Sequence, residues 1–312
     1  MGLYWLTYIC LAIFVFAVIV RVYRQFTLPA HLRWELYPVK HEPGKKAGYG
    51  GSYMEESNWW EKPRKSSLFN EIKFMVPEIL LLRGVWDENR RLWWISFPFH
   101  FGLYMMIGTF GLILIGAIGM VAGVQIAPGN GGIPSFIYYL TILLGFLGLI
   151  LGTIGSGGLL YRRFSDPELK KYSSTADYLN LVFILIFFVA ALLAWLFMDD
   201  SFGGARSYVQ SLLTYGIPAE GGRSLLGGLT IVLASLLAAY IPLTHMSHMF
   251  MKYFMYHNVR WEDEPNLKGS KVEAAILKNL GFKPTWAAPH IAGDGTKTWV
   301  DLATSGPEEE NK

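Results

Sequence analysis

Seven histidines and one cysteine are all that this 312-residue chain offers as soft or borderline metal ligands. Cys10 is alone, so it closes no internal disulfide and holds no iron–sulfur cluster, which takes about four thiolates. No Cys-x-x-Cys-His segment exists, so no haem is attached covalently. Redox chemistry in this chain must therefore run through histidine-ligated iron, a quinone or a flavin. His31, His41 and His290 sit in polar segments, and His257 follows an apolar run. His100, His245 and His248 lie inside stretches that hold no Asp, Glu, Lys or Arg. Ionisable side chains in such stretches are expensive to keep and mark function by default.

The stretches themselves say what must position these histidines. Residues 92–161 contain no charged side chain over 70 positions, 178–198 none over 21, and 224–251 none over 28. Hydrophobic residues make up 52% and charged residues 16%, with a mean hydropathy of +0.31. A helix needs about 20 apolar residues to cross a bilayer, so a soluble enzyme, a coiled coil and a disordered chain are excluded. The turn signal AlaProGlyAsnGlyGlyIlePro (127–134) divides the longest stretch. The expected spans are 3–20, about 93–124, 135–161, 176–198 and 225–251. Residues 3–20 lack a cationic leader and a cleavage site and read as a retained helix.

The fold expected is an all-α membrane protein, a bundle of five transmembrane helices. Its parts are a first helix (1–24), a cytoplasmic loop (25–91), a four-helix core (92–255) and a cytoplasmic tail (256–312). Residues 74–86 are apolar but too short to span, and read as interfacial or partner-facing. Of 27 Lys and Arg, 25 fall on one side of this arrangement, leaving Arg206 and Arg223 on the other. Cationic residues stay cytoplasmic. The N-terminus is thus expected outside, the C-terminus in the cytoplasm, and the protein in the inner (cytoplasmic) membrane as a multi-pass chain. The cations serve topology, so nucleic acid is not an expected partner; membrane lipid is.

Depth brings the histidines together. His100 falls seven residues into the second span, roughly 10 Å inside the cytoplasmic face. His245 and His248 fall near the end of the fifth span, at that same face. Two imidazoles on different helices at matching depth can clamp a haem iron from both sides. On one continuous helix, His245 and His248 would share a face at i, i+3, so either one serves as the fifth-span ligand and the other is left to hydrogen-bond a propionate or a quinone. A lone histidine near a helix end is more often hydrogen-bonded than metal-bound, and the pairing is what favours ligation. Arg162 and Arg163 are first topological anchors and secondly candidates to pair with haem propionates. Gly108, Gly111, Gly116 and Gly119 suit either close helix packing or a flat macrocycle.

ProPheHisPheGly (98–102), TyrArgArgPheSerAspPro (161–167) with SerSerThrAlaAspTyr (173–178), and IleProLeuThrHisMetSerHisMet (241–249) resemble the cytochrome b gamma subunit of respiratory nitrate reductase over about residues 93–255. That family places two b haems on four histidines. The resemblance implies His100 and His248 as the cytoplasmic-side metal ligands. Its other two ligand positions fall at Phe110 and near Thr230, which cannot ligate as imidazoles do, so one haem b is expected rather than two. The tail segments ThrTrpAlaAlaProHisIle (285–291) and LysThrTrpValAspLeuAla (297–303) resemble membrane subunits of heterodisulfide-reductase-related transmembrane redox complexes of sulfate reducers. That resemblance implies menaquinone as a second cofactor and a cytoplasmic iron–sulfur, heterodisulfide-reductase-like subunit as partner, with a periplasmic multihaem cytochrome c as an alternative donor. The function so implied is quinone-linked electron transfer by an oxidoreductase subunit. The competing reading is a cofactor-free membrane anchor. A transporter is disfavoured by the lack of charged residues deep in the spans and of internal repeats.

Overall fold

A computed structural model describes residues 2–27, 42–46, 52–63, 65–215, 225–257, 266–288 and 291–305. His31, His41, His290 and Arg223 lie outside the described residues. The chain divides into two compact units, residues 1–18 with 75–246, and residues 19–74 with 247–312.

Among the described residues, five helices are long and apolar enough to cross a membrane. They are α1 (Gly2–Phe26), α4 (Arg90–Val121), α5 (Gly132–Ser165), α7 (Thr175–Phe197) and the fifth span Leu225–Leu243, of which α9 (Leu225–Tyr240) is the helical part. Between α1 and α4 lie α2 (Leu68–Leu80) and α3 (Arg83–Glu88); α6 (Pro167–Lys171) and α8 (Gly203–Thr214) bridge the later spans. The protein is an all-α multi-pass membrane bundle. Each junction has a local cause. The Asn89 side chain accepts the Leu92 N–H to start α4. Asp166 caps α6, and Ser174 with Asp177 forms a capping box that starts α7. The Asp199 carboxylate accepts the N–H groups of Gly203 and Gly204, the first donors of α8, at 3.0 and 2.7 Å.

The core of the spanning unit is a backbone-to-backbone contact of α4 with α5. A Cβ on Gly102 would lie 2.9 Å from the Gly152 Cα, and one on Gly155 would overlap the backbone of Phe99. Gly152 admits the Phe188 ring of α7. Around these sit Phe99, Met106, Leu149, Phe187 and Phe188, all buried. The glycines singled out on α4 take no part in this. Gly111 has open space where its Cβ would be, and Gly108 meets only a Leu144 methyl. Small residues let membrane helices approach wherever they face a neighbour, and here the facing row is Gly148, Gly152 and Gly155 on α5 against Gly102.

The N-terminal half of α1 is tied to the same unit by hydroxyl bonds. Thr7 Oγ1 lies 2.9 Å from both Tyr208 Oη on α8 and Ser235 Oγ on α9. The C-terminal end of α2 gives its carbonyls to α4: Trp93 Nε1 donates to Leu81 O and the Tyr104 hydroxyl to Ile79 O, both at 2.8 Å. Side chains thus satisfy helix-end acceptors that water would otherwise serve.

In the second unit, α10 (His248–Met255) is followed by a folded tail: α11 (Lys271–Leu280), a two-residue bridge between β1 (Ala287–Ala288) and β2 (Ile291–Ala292), and α12 (Trp299–Thr304). The Trp299 N–H donates to Phe282 O, and the Trp286 and Trp299 rings meet at 5.8 Å. Asp294 turns the chain by accepting from the Thr296 hydroxyl, Thr296 N and Lys297 N, at 2.7, 2.8 and 3.1 Å. Those bonds hold its carboxyl down to about 2. A folded-state pKa below the unfolded value of about 3.9 adds stability above that pH, and the stability is lost as pH falls toward 2. Hydrogen-exchange protection at Thr296 and Lys297 is expected to hold at pH 4, to fall as pH drops through about 2, and to be lost at neutral pH in Asp294→Ala. Full protection at neutral pH in Asp294→Ala contradicts this assignment.

Candidate functional site

His100 stands ten residues after the start of α4 and is half-buried. Its Nδ1 lies 2.7 Å from the Ser96 carbonyl oxygen and 3.3 Å from Ser96 Oγ. A carbonyl only accepts, so the neutral ring carries its proton on Nδ1 and keeps its lone pair on Nε2. The same bond fixes the ring's direction and raises its basicity, which is how ligating imidazoles are commonly held. The Phe99 ring meets the imidazole edge-on, with centroids 5.2 Å apart and planes at 88°. On donor chemistry, His100 fits a ligand that would hold a haem iron through Nε2.

The fifth span ends differently from expectation. Helix was expected to run from 225 to 251 with His245 and His248 on one face. α9 stops at Tyr240, a tight 3₁₀ turn covers Ile241–Leu243, a second covers His245–Ser247, and α10 begins at His248. Pro242 is the reason: it lacks an N–H, and its ring would clash with the carbonyl of Ala238 in a continuing helix. His245 and His248 therefore do not share a helical face, and both follow Leu243, the last residue of the span. Both are exposed, and His248 belongs to the second unit.

His245 has its own setting, built from α5, α7 and α9. Its Nε2 lies 3.4 Å from Asn180 Nδ2 and 3.6 Å from Asp177 Oδ1. Asn180 is buried and accepts the Tyr240 hydroxyl at 2.8 Å. Arg163 Nη1 lies 3.7 Å from Asp177 Oδ2 and donates to Ser173 Oγ at 2.9 Å. Arg162 faces Asp166 at 3.9 Å. The two arginines thus each have a carboxylate of this chain beside them, and Arg163 and His245 share Asp177. The distances to His245 exceed those of a strong hydrogen bond, and with a side chain 64% exposed the ring is loosely held.

Asn180 and Asp177 were not picked out in the sequence. Asn180 had a signal: it is a lone amide inside the uncharged run 178–198. Asp177 reads as a helix cap, which it is, and only packing adds Arg163 and His245 to it. In the second unit His257 Nε2 lies 3.1 Å from Glu71 Oε1.

The family model described as nitrate reductase gamma subunit matches residues 86–262, more than half of the chain. No curated protein and no solved structure matches it. The matched segment runs from Trp86 in α3 through α10 and contains His100, Asp177, Asn180, His245 and His248. Members of that family are haem-binding membrane cytochrome b subunits that associate with other subunits of redox complexes. The chain belongs to the nitrate reductase gamma subunit family.

Proposed function

We propose that the protein is the cytochrome b subunit of a respiratory complex, carrying electrons between menaquinone and a cytoplasmic iron–sulfur subunit of the heterodisulfide-reductase type. The observation that carries the reading is His100, presented by a spanning helix of the family-matched segment with its Nδ1 proton on the Ser96 carbonyl. A bound haem b supplies one-electron transfer. In this chain, Ser96 holds the His100 ring in one tautomer, and the buried Phe99 ring packs edge-on beside it. His100 and His248 are the proposed ligands, with His245 the alternative on the fifth span. Arg162 and Arg163 are proposed to face the propionates by exchanging their present carboxylate neighbours. His245, loosely set beside Asp177 and Asn180, is suited to hydrogen-bond a quinone oxygen or take a proton from a quinol oxygen, with the Asp177 carboxylate stabilising the imidazolium that forms. The excess of cations on one side supports an N-terminus outside and a tail in the cytoplasm. The folded tail, with Trp286, Phe282 and Leu277 exposed, supports docking of the iron–sulfur partner there. A periplasmic multihaem cytochrome c is the alternative electron donor.

The exposure of His245 and His248 favours a second reading, a cofactor-free anchor that only holds redox partners together. A reduced-minus-oxidised spectrum with a pyridine haemochrome assay on the purified chain separates the two. One b haem per chain is expected. No b-type absorbance establishes the anchor, and two haems show that Phe110 and Thr230 do not mark a missing site.

A further inference from the structure

At the end of the bundle away from His100, an arginine is buried with no counter-ion among the described residues. Arg206 on α8 is 2% exposed, and its Nε and Nη2 are buried with no hydrogen-bond partner among the described residues. It packs over the α4 backbone at Gly116, where a Cβ would lie 2.9 Å from both its Cδ and its Nε. Gly116 is 16 residues beyond His100, about 24 Å along α4. No carboxylate among the described residues comes within ion-pair distance of Arg206. Asp199, which faces it electrostatically, spends its oxygens on Ser201, Gly203 and Gly204. A buried charge left unpaired in a protein interior is strongly destabilising.

Which nitrogens are orphaned is informative. Nε and Nη2 form the side-on edge of the guanidinium, whose two parallel N–H bonds match two oxygens of a phosphate or carboxylate. A cavity of about 400 Å³ lies one turn further along both helices. Met120 and Gln210 line it, each four residues beyond Gly116 and Arg206 respectively, together with Gly123, Val124, Gln125 and Ile126. Two amides among apolar side chains suit a polar headgroup with hydrocarbon attached. Gly116 is five residues short of the end of α4, about 8 Å inside it, near the headgroup boundary of a bilayer.

We infer that Arg206, with Gln210 and the cavity beside it, is a phosphate-oxyanion site that takes the headgroup of an anionic phospholipid. Arg206 packs on Gly116 and does not itself line the cavity, so binding requires its side chain to swing one turn along α8, where Nε and Nη2 take two phosphate oxygens while the amides of Gln125 and Gln210 donate to the rest of the headgroup.

The test uses the full chain in detergent after delipidation. Native mass spectrometry is run with added phosphatidylglycerol, and thermal unfolding is followed with phosphatidylglycerol or inorganic phosphate. One phosphatidylglycerol is expected per chain, bound at least ~tenfold more weakly in Arg206→Gln. Arg206→Lys should bind at an intermediate level, because a point charge lacks the fork. Gln210→Leu keeps the arginine and its packing and should also weaken binding, which guards against a folding defect in Arg206→Gln. Stabilisation by inorganic phosphate and not by lipid, abolished in Arg206→Gln, makes the site a free-phosphate site and overturns the lipid source. Equal lipid retention and equal thermal shifts in wild type, Arg206→Gln and Gln210→Leu overturn the site altogether.

Discussion

Substitution of His100 by alanine is expected to abolish the b-type absorbance of the purified protein, and His248→Ala to do the same. Loss of either imidazole would remove one of the two proposed iron ligands, and a haem without covalent attachment would then leave on purification. His100 carries the stronger half of this expectation. Its ring is held by the Ser96 carbonyl at 2.7 Å, so the ligand nitrogen is selected before any haem arrives. The fifth-span ligand is less constrained, because Pro242 ends α9 and leaves His245 and His248 on separate short elements. His245→Phe is therefore informative. A retained spectrum with slower reduction by a menaquinol analogue supports its role beside Asp177. A lost spectrum makes His245 the ligand instead of His248. His257→Ala, paired with Glu71 in the second unit, should leave the spectrum intact. Haem retained in both His100→Ala and His248→Ala would sink the assignment.

Gly155→Leu should prevent accumulation of folded protein, whereas Gly111→Leu should be tolerated. A Cβ at Gly155 would overlap the N and Cα of Phe99, and a backbone cannot step aside as a side chain does. Forcing α4 and α5 apart would also unseat Phe188 from Gly152 and disturb Phe99, which neighbours His100. Overpacking costs about 1–3 kcal/mol even where side chains can adjust, and more is expected for backbone against backbone. At Gly111 a Cβ meets nothing within 4 Å. Monodispersity and yield on size-exclusion chromatography, with thermal unfolding of what survives, measure the contrast. Equal behaviour of the two variants would mean that the α4–α5 contact does not hold the bundle together.

The number of spans and their approximate places were legible in the sequence because charge is what hydrocarbon excludes. Runs without Asp, Glu, Lys or Arg over 92–161, 178–198 and 224–251 admit little else. His100 was legible for the same reason, as an ionisable side chain where few are tolerated. Even the break after Tyr240 had a visible cause in Pro242, though apolarity ran on to Met251 and masked it. What the sequence left open is how each helix is rotated about its own axis. In a lipid-facing span every face is apolar, so no stripe announces which side meets a neighbour. Hence the glycines on α4 gave no hint that Gly102 alone meets α5 backbone, while Gly116 receives Arg206. The meeting of Asn180, Tyr240, Asp177 and His245 is likewise a product of rotation and of close packing between segments sixty or more residues apart. The burial of Arg206 is another: by composition it counted only as one of two cations on the sparse side, and only the packing of α8 on α4 takes it out of water and leaves its fork without an anion among the described residues.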